Sequence, residues 1–168
     1  MKIRTDFVTN SSSSSFVLAF KNEEDYDKFK QVCYANNYAP IASLIQNCRE
    51  YNTKTISEIK KAAIKSIQHW LTWKQANEYC KAHIDQNLSF REQLTLEENI
   101  KSTPEYKNFI ESVLAGTDFQ KYEEQINNAE IVISDTIWDT DGGELECKIR
   151  NGVLYRFLPW LVYQEDIG

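Results

Sequence analysis

Charged side chains near the C-terminal end of the sequence have types and spacing suited to metal binding. Glu146 and Lys148 lie two residues apart in a segment that alternates polar and apolar residues, so on a strand they point to the same face. Asp135 or Asp139, from the preceding strand, could join them. Two carboxylates could then hold Mg²⁺ while the lysine steadies a hydroxide, an arrangement suited to metal-assisted hydrolysis.

The order Asp135 or Asp139, then Glu146-Cys147-Lys148, resembles the Asp plus Glu-x-Lys core of restriction-endonuclease-like nucleases. The resemblance implies metal-dependent cleavage of nucleic acid. That family follows these strands with a helix and a further strand, which the sequence up to Gly168 does not offer. The outer face of an antiparallel sheet also alternates polar residues simply because it meets water. We therefore favour a solvated Glu146–Lys148 pair and keep the nuclease as the alternative function.

A thiol and an imidazole form the second candidate group. Cys80 and His83 lie one helical turn apart, but zinc would need further ligands from the distant Cys33 or Cys48. Nucleophilic catalysis would need an orienting third group, and no motif supplies one. Both positions continue an apolar helical stripe, so we interpret Cys80 as a core residue. The sequence accordingly predicts no catalytic residue, no metal and no cofactor.

Negative charge is concentrated in the last third of the chain. The formal net charge is -6, and from Thr117 onward eleven acids face four bases, which leaves the preceding residues about neutral. Such a surface repels polyanions and anionic membranes but attracts a basic protein. Asp139-Thr-Asp141-Gly-Gly-Glu144 lacks the spacing of a calcium loop and is explained as a hairpin turn. We therefore predict that Asp139, Asp141 and Glu144 bind a basic protein partner, with neither nucleic acid nor membrane as a partner.

Length and composition predict one globular domain. The 168 residues are 42% hydrophobic and include 21 aromatic residues, four Trp, nine Tyr and eight Phe, which a disordered chain would lack. The few Gly and Pro residues favour long helices. The four cysteines are widely spaced and the N-terminus shows no secretory apolar segment, so we expect a cytoplasmic protein without disulfides.

About five helices follow from caps and apolar spacing. Asn22 followed by three acids predicts a helix over 23–35, and Pro40 opens a second one. The capping box Thr55-Ile-Ser-Glu58 begins a long helix that runs to about His83. Thr95-Leu-Glu-Glu98 is another candidate box. Thr103-Pro104 starts a helix that ends at Gly116, and Thr117 caps the last one.

Apolar and alternating segments of the sequence predict strands that form a small, mainly antiparallel sheet. Residues 129–137, 144–150 and 153–158 form a C-terminal three-stranded meander with turns at Asp141-Gly-Gly and Asn151-Gly152, and Pro159 ends it. The apolar run Phe16–Phe20 has no local partner, so we expect it to join this sheet from the other end of the chain. The fold class is therefore α+β, with the helices packed on the sheet.

The segment from Arg4 to Phe16, RTDFVTNSSSSSF, resembles an N-terminal signature shared by many uncharacterised proteins of Firmicutes and of their phages. The resemblance implies a common leader before unrelated bodies, and thus a handle read by another molecule. The alternative is a strand at Ile3–Val8 followed by a flexible loop, with Asn10–Ser15 solvated and residues 1–15 a flexible leader. Both interpretations stay open.

Because the C-terminal third is acidic and no catalytic group is convincing, we predict a non-catalytic interaction protein, of an inhibitor or immunity type.

Overall fold

A computed structural model describes residues 13–85, 87–138 and 159–167 of the chain. These residues fall into two compact units, one built from the part of the chain up to Ala63 together with the part from Gln125 onward, the other from Ile64–Glu124. The described residues form six helices and a three-stranded antiparallel sheet. The predicted α+β class is confirmed, whereas the single domain stays a prediction.

The sheet of the first unit has the order β2-β1-β3, with β1 (Ser13–Phe20) between β2 (Ile131–Trp138) and β3 (Leu161–Ile167). Both neighbours run antiparallel to β1. Phe20 lies opposite Ile131 in this register, and the Glu130 N–H donates to the Phe20 carbonyl over 3.0 Å. The predicted pairing of Phe16–Phe20 with the strand after Asn128 is thus confirmed.

Two expectations about the sheet are corrected. Ser15 was expected in a solvated loop, but Ser13–Ser15 begin β1 and the Ser15 side chain is only 2% exposed. Strands on both sides satisfy the backbone of β1, and this context outweighs the weak strand propensity of serine. Pro159 was expected to end the sheet, yet β3 begins two residues later. Proline at that point lies outside the ladder, where its missing N–H has no cost.

Several predicted features lie outside the described residues. These are the strand at 3–8, the first part of the serine run, and the meander strands at 144–150 and 153–158 with their two turns.

Two helices cover the sheet of the first unit and close its core. In α1 (Glu23–Ala35) the Asn22 side chain caps the first turn by accepting the Asp25 N–H over 3.0 Å. Proline in the first turn starts α2 (Ala39–Glu50). The buried cluster is rich in aromatic rings and draws on β1, β2, α1, α2 and the residue before β3; it contains Phe16, Leu18, Phe20, Tyr26, Phe29, Cys33, Ile41, Ala42, Ile45, Ile133 and Trp160.

The long helix α3 (Ile56–His83) begins at the predicted capping box. The Thr55 N–H donates to the Glu58 carboxylate over 2.8 Å, and the Glu58 N–H donates to the Thr55 hydroxyl over 3.3 Å. The apolar stripe predicted to run along this helix from Ile56 to His83 is buried at Ala63, Ile67, Ala76 and Cys80. The prediction is wrong at Ile56, Trp73 and His83, which are exposed. Helical spacing fixes the side of the helix on which a residue lies but not which turns of that side are covered.

The second unit packs the later part of α3 against α4 (Phe90–Ser102) and α5 (Pro104–Ala115). A small cluster of Ala76, Ile110 and Leu114 is buried there, with Leu71, Tyr106, Phe109 and Phe119 against it. The helix α6 (Phe119–Asn127) runs from this unit into the first.

The helix α4 begins earlier than the candidate box at Thr95-Leu-Glu-Glu98 indicated. It begins after Ser89, whose N–H donates to the Glu92 carboxylate over 2.9 Å in a capping box. Thr95, the position expected to cap a helix, lies inside α4, where its hydroxyl donates to the Arg91 carbonyl over 3.1 Å. Within the described ranges, no helix is both long and apolar enough to cross a membrane.

Candidate functional site

Of the residues predicted for a site in the C-terminal third, the structure describes only Asp135, and only its backbone. Asp135 lies in β2 opposite Phe16 of β1. The other predicted residues lie outside the described residues, both the partner-binding set Asp139, Asp141 and Glu144 and the nuclease set Asp139, Glu146 and Lys148. Both sets therefore stay predictions.

Four other acids of the C-terminal third can be described. Asp118, Glu124 and Glu130 are exposed and Glu123 is half-buried. Within the described part of the chain, none of these four carboxylates makes an ion pair. Burial, helped by the charge of Asp118, raises the pKa of Tyr122. The described portion of the acidic region thus presents its negative charge to solvent.

Four acids before Thr117 are paired with a basic side chain. Lys28 and Glu24 are paired at 2.8 Å, Lys30 and Asp27 at 2.7 Å. Two further ion pairs are Lys101–Glu97, at 2.5 Å, and Arg49–Glu23. All of these pairs lie on α1, α2 and α4. These four acids all precede Thr117, although other exposed acids there, such as Glu98, make no ion pair within the described ranges either.

The position of Glu124 in α6 adds to this imbalance. It lies in the last turn, which contains no basic residue, and a helix has its negative pole at that end. A carboxylate there is repelled by the helix itself. Lys60 meets part of this cost, because its ammonium donates to the carbonyl of Asn127, the last residue of α6, over 2.9 Å. Glu124 thus gains no stabilisation from the helix dipole.

The thiol and imidazole of α3 do not form a reactive pair. Cys80 is buried, and burial followed by the nearby charge of Glu97 raises the pKa of its thiol. The His83 ring stacks on Tyr79 with centroids 4.3 Å apart, and its Nδ1 donates to the Tyr79 carbonyl over 2.7 Å. No three His, Cys, Asp or Glu side chains are grouped for a metal ion in the described ranges. Cys80 therefore serves as a core residue, as its place on the stripe indicated.

A small open cavity of about 140 Å³ lies between α3 and α4. Asn77, Cys80, Lys81 and Ile84 line it from α3 and the residue after it, and Gln93 and Glu97 line it from α4. Its volume is well below that of pockets for drug-sized ligands, about 300–1,000 Å³. The Cys80 thiol borders the cavity, and its pKa is raised. Its surroundings therefore do not activate it as a nucleophile. The cavity is therefore too small to define a substrate site by itself.

A charged and aromatic cluster on α1 and α2 carries no sequence motif that would reveal it. The Arg49 guanidinium donates to both carboxylate oxygens of Glu23. Its central carbon lies 4.7 Å from the centroid of the Tyr26 ring, and the Lys30 ammonium lies 4.9 Å from the same centroid. The cluster joins positions far apart in the chain, so only the fold brings them together. We interpret it as the packing of α1 on α2.

An exposed apolar side of α4 is the other feature that sequence reasoning missed. None of its residues is buried, and Phe90 is 76% and Leu94 45% exposed. The signal in the sequence is their spacing of four, which places them on one side of a helix. That spacing cannot tell a covered side from an open one.

Comparisons of this chain with protein-family models, with curated proteins and with solved structures found no match.

Proposed function

We propose that this chain is a non-catalytic cytoplasmic interaction protein, of an inhibitor or immunity type, that binds a basic protein partner through its acidic C-terminal third. One observation carries the proposal: eleven acids against four bases follow Thr117, in a chain whose formal net charge is -6. The described members of this set support it, because Asp118, Glu123, Glu124 and Glu130 have no ion-pair partner within the described ranges.

Uncompensated charge of one sign does not help the chain to fold. Like charges repel in the compact state, and the repulsion grows as acids are crowded on neighbouring positions. A basic surface would relieve this repulsion on binding. It would also be drawn toward the acidic region before contact, which raises the association rate more than the final affinity. Charge placed in this way therefore favours recognition of a basic protein.

The state of the thiols supports a role other than nucleophilic catalysis. A catalytic cysteine needs a lowered pKa so that the thiolate forms near neutral pH. Burial instead raises the pKa of Cys80, and raises that of Cys33 to about 11. Neither residue therefore has the environment that activates a thiol.

A capture experiment with matched variants tests the proposal. Tagged wild-type protein is incubated with an extract of the source cell, and captured proteins are identified by mass spectrometry. The test variant combines Asp139→Asn, Asp141→Asn and Glu144→Gln. The control removes the same number of charges at exposed acids before Thr117: Glu78→Gln, Glu105→Gln and Glu111→Gln.

The proposal predicts that the wild type and the control variant enrich the same protein with a pI above about 9, and that the test variant loses it. Equal capture by both variants would place the binding surface elsewhere. Two results would contradict the proposal itself. One is capture of a partner with an acidic pI, and the other is turnover of a small-molecule substrate by the purified chain.

A further inference from the structure

The exposed side of α4 has both apolar and charged members. We define the α4 face as Phe90, Arg91, Leu94 and Glu98. Phe90 and Leu94 expose 76% and 45% of their surface, and the two charged residues are exposed as well. Large apolar side chains in contact with water on a helix without any buried residue commonly mark a contact surface.

The two charges of the α4 face lie at opposite ends of it. Arg91 and Glu98 are seven residues apart, about two helical turns or 10 Å, so they share a side of α4 but do not reach each other. Within the described part of the chain, neither side chain makes an ion pair. By contrast, Lys101 on the same helix is paired with Glu97 at 2.5 Å.

We propose that the α4 face binds a second copy of this chain, through an antiparallel contact of two α4 helices across a two-fold axis. In an antiparallel pair centred between residues 94 and 95, Arg91 of each copy lies opposite Glu98 of the other. The two Leu94 side chains meet next to the axis, and each Phe90 covers the following turn of the opposite helix. The surface is thus complementary to itself, as a two-fold interface requires.

Charge also argues for a second copy over the basic partner proposed above. The α4 face carries one positive and one negative charge, so it offers no net attraction to a basic surface. One helix face is smaller than the roughly 800 Å² per partner of a standard interface. The contact is therefore weak and reversible, and the dimer forms only at high protein concentration.

The oligomeric state of the full chain tests the inference. Sedimentation velocity is recorded over a concentration series up to about 1 mM, near the weak end of specific association. We expect the mass to rise from 19.6 kDa toward twice that value. Leu94→Ala keeps a good helix former and should weaken dimerisation at least tenfold. Leu96→Ala, at a leucine that is 37% exposed on another side of α4, should leave it unchanged.

Charge reversal identifies the occupant. Arg91→Glu gives a chain with two acids at the contact, and Glu98→Arg gives one with two bases, so each alone should remain monomeric. A carboxylate at position 91 lies in the first turn, where the helix dipole favours it, so folding is preserved. Mixed in equal amounts, the two variants place opposite charges at both ends of the contact and should form a heterodimer.

Three results would overturn the inference. The wild type could stay monomeric at every concentration. The Leu94→Ala variant could dimerise like the wild type. The mixture of the two charge variants could remain monomeric while the wild type dimerises. A monomeric wild type that binds a basic amphipathic peptide, and loses that binding in Leu94→Ala, would assign the α4 face to a foreign partner instead.

Discussion

The rings of Phe20 and Trp160 lie 6.2 Å apart in the core of the first unit, although they come from opposite ends of the chain. Their backbones meet as well, because the Ala19 N–H donates to the Trp160 carbonyl over 3.0 Å. Phe29 of α1 packs its ring edge-on against the same indole, with centroids 5.7 Å apart. The central strand β1 therefore ties α1 to the residues that lead into β3.

Deletion of residues 1–20 should unfold the sheet-containing unit. It removes β1, to which both β2 and β3 are paired, and it removes Phe16 and Phe20, each worth about 2 to 3 kcal/mol when fully buried. Thermal melting, monitored by far-UV circular dichroism, should show no cooperative unfolding of this unit. Deletion of residues 1–9 is the control and should melt close to the wild type. A cooperative, wild-type melt of the longer deletion would contradict the central position of β1.

Local signals decided which elements could be predicted. The cap at Asn22 and the box at Thr55 place two helix starts correctly, because each satisfies backbone amides within a few residues. The start of α4 was missed although Ser89 and Glu92 have the same spacing as that box. The strand β3 was missed because its pairing with β1 spans most of the chain, and Gln164, Glu165 and Asp166 weaken its apolar pattern. Long-range pairing leaves no local trace.

The capping box at the start of α3 makes stability depend on pH. Hydrogen bonds from the Thr55 side chain and backbone lower the pKa of Glu58 below its ordinary 4.5. The folded state thus favours the carboxylate, so its contribution is present above pH 4.5 and is lost as the pH falls through the folded pKa. Glu58→Gln should lower the melting temperature at pH 7 but not below the folded pKa.

Two variants control that pH experiment. Thr55→Ala removes the hydroxyl partner and should cost about 1 kcal/mol at pH 7. Glu78 is an exposed acid on the same helix, and its side chain makes no hydrogen bond within the described ranges. Glu78→Gln should therefore show the same pH dependence of stability as the wild type. If Glu58→Gln lowered the melting temperature equally at pH 7 and in strong acid, the carboxylate would not be the group responsible.

The cysteines should differ in reactivity according to burial. With a pKa of about 11, the thiol of Cys33 is ionised in roughly one molecule per thousand at pH 8. Burial also raises the pKa of Cys80, whereas Cys48 is only partly buried. In a Cys147→Ser background, iodoacetamide followed by peptide mass spectrometry should modify Cys48 well before Cys33 and Cys80. Rapid modification of Cys80 in the folded protein would revive a nucleophilic role for that residue.

Nuclease activity is a separate prediction. Purified protein with Mg²⁺ or Mn²⁺ should leave single- and double-stranded DNA and RNA intact, because Glu146 and Lys148 are interpreted as a solvated pair on the outer face of a sheet. Product length on denaturing gels provides the measurement. Cleavage that requires metal and disappears in Glu146→Ala would replace the binding function with the nuclease alternative. Glu144→Gln serves as the matched control at a nearby acid.

The candidate sites were less accessible to sequence reasoning than the helices. Net charge is a property of composition, so the acidic C-terminal third could be recognised without a fold. Whether each acid is paired depends on tertiary contacts, as the contrast between Glu23 and Glu124 shows. The open side of α4 could not be foreseen either, since the spacing of Phe90 and Leu94 is also that of a buried helix side.

Salt-dependent association is the most direct test of the binding function. Stopped-flow mixing of the wild-type chain with its captured partner gives the association rate at several salt concentrations. We predict that the rate falls as salt rises, since charges are screened over about 8 Å at physiological ionic strength, and that combining Asp139→Asn, Asp141→Asn and Glu144→Gln lowers it in the same way without loss of folding. An association rate that is indifferent both to salt and to these substitutions would contradict the account.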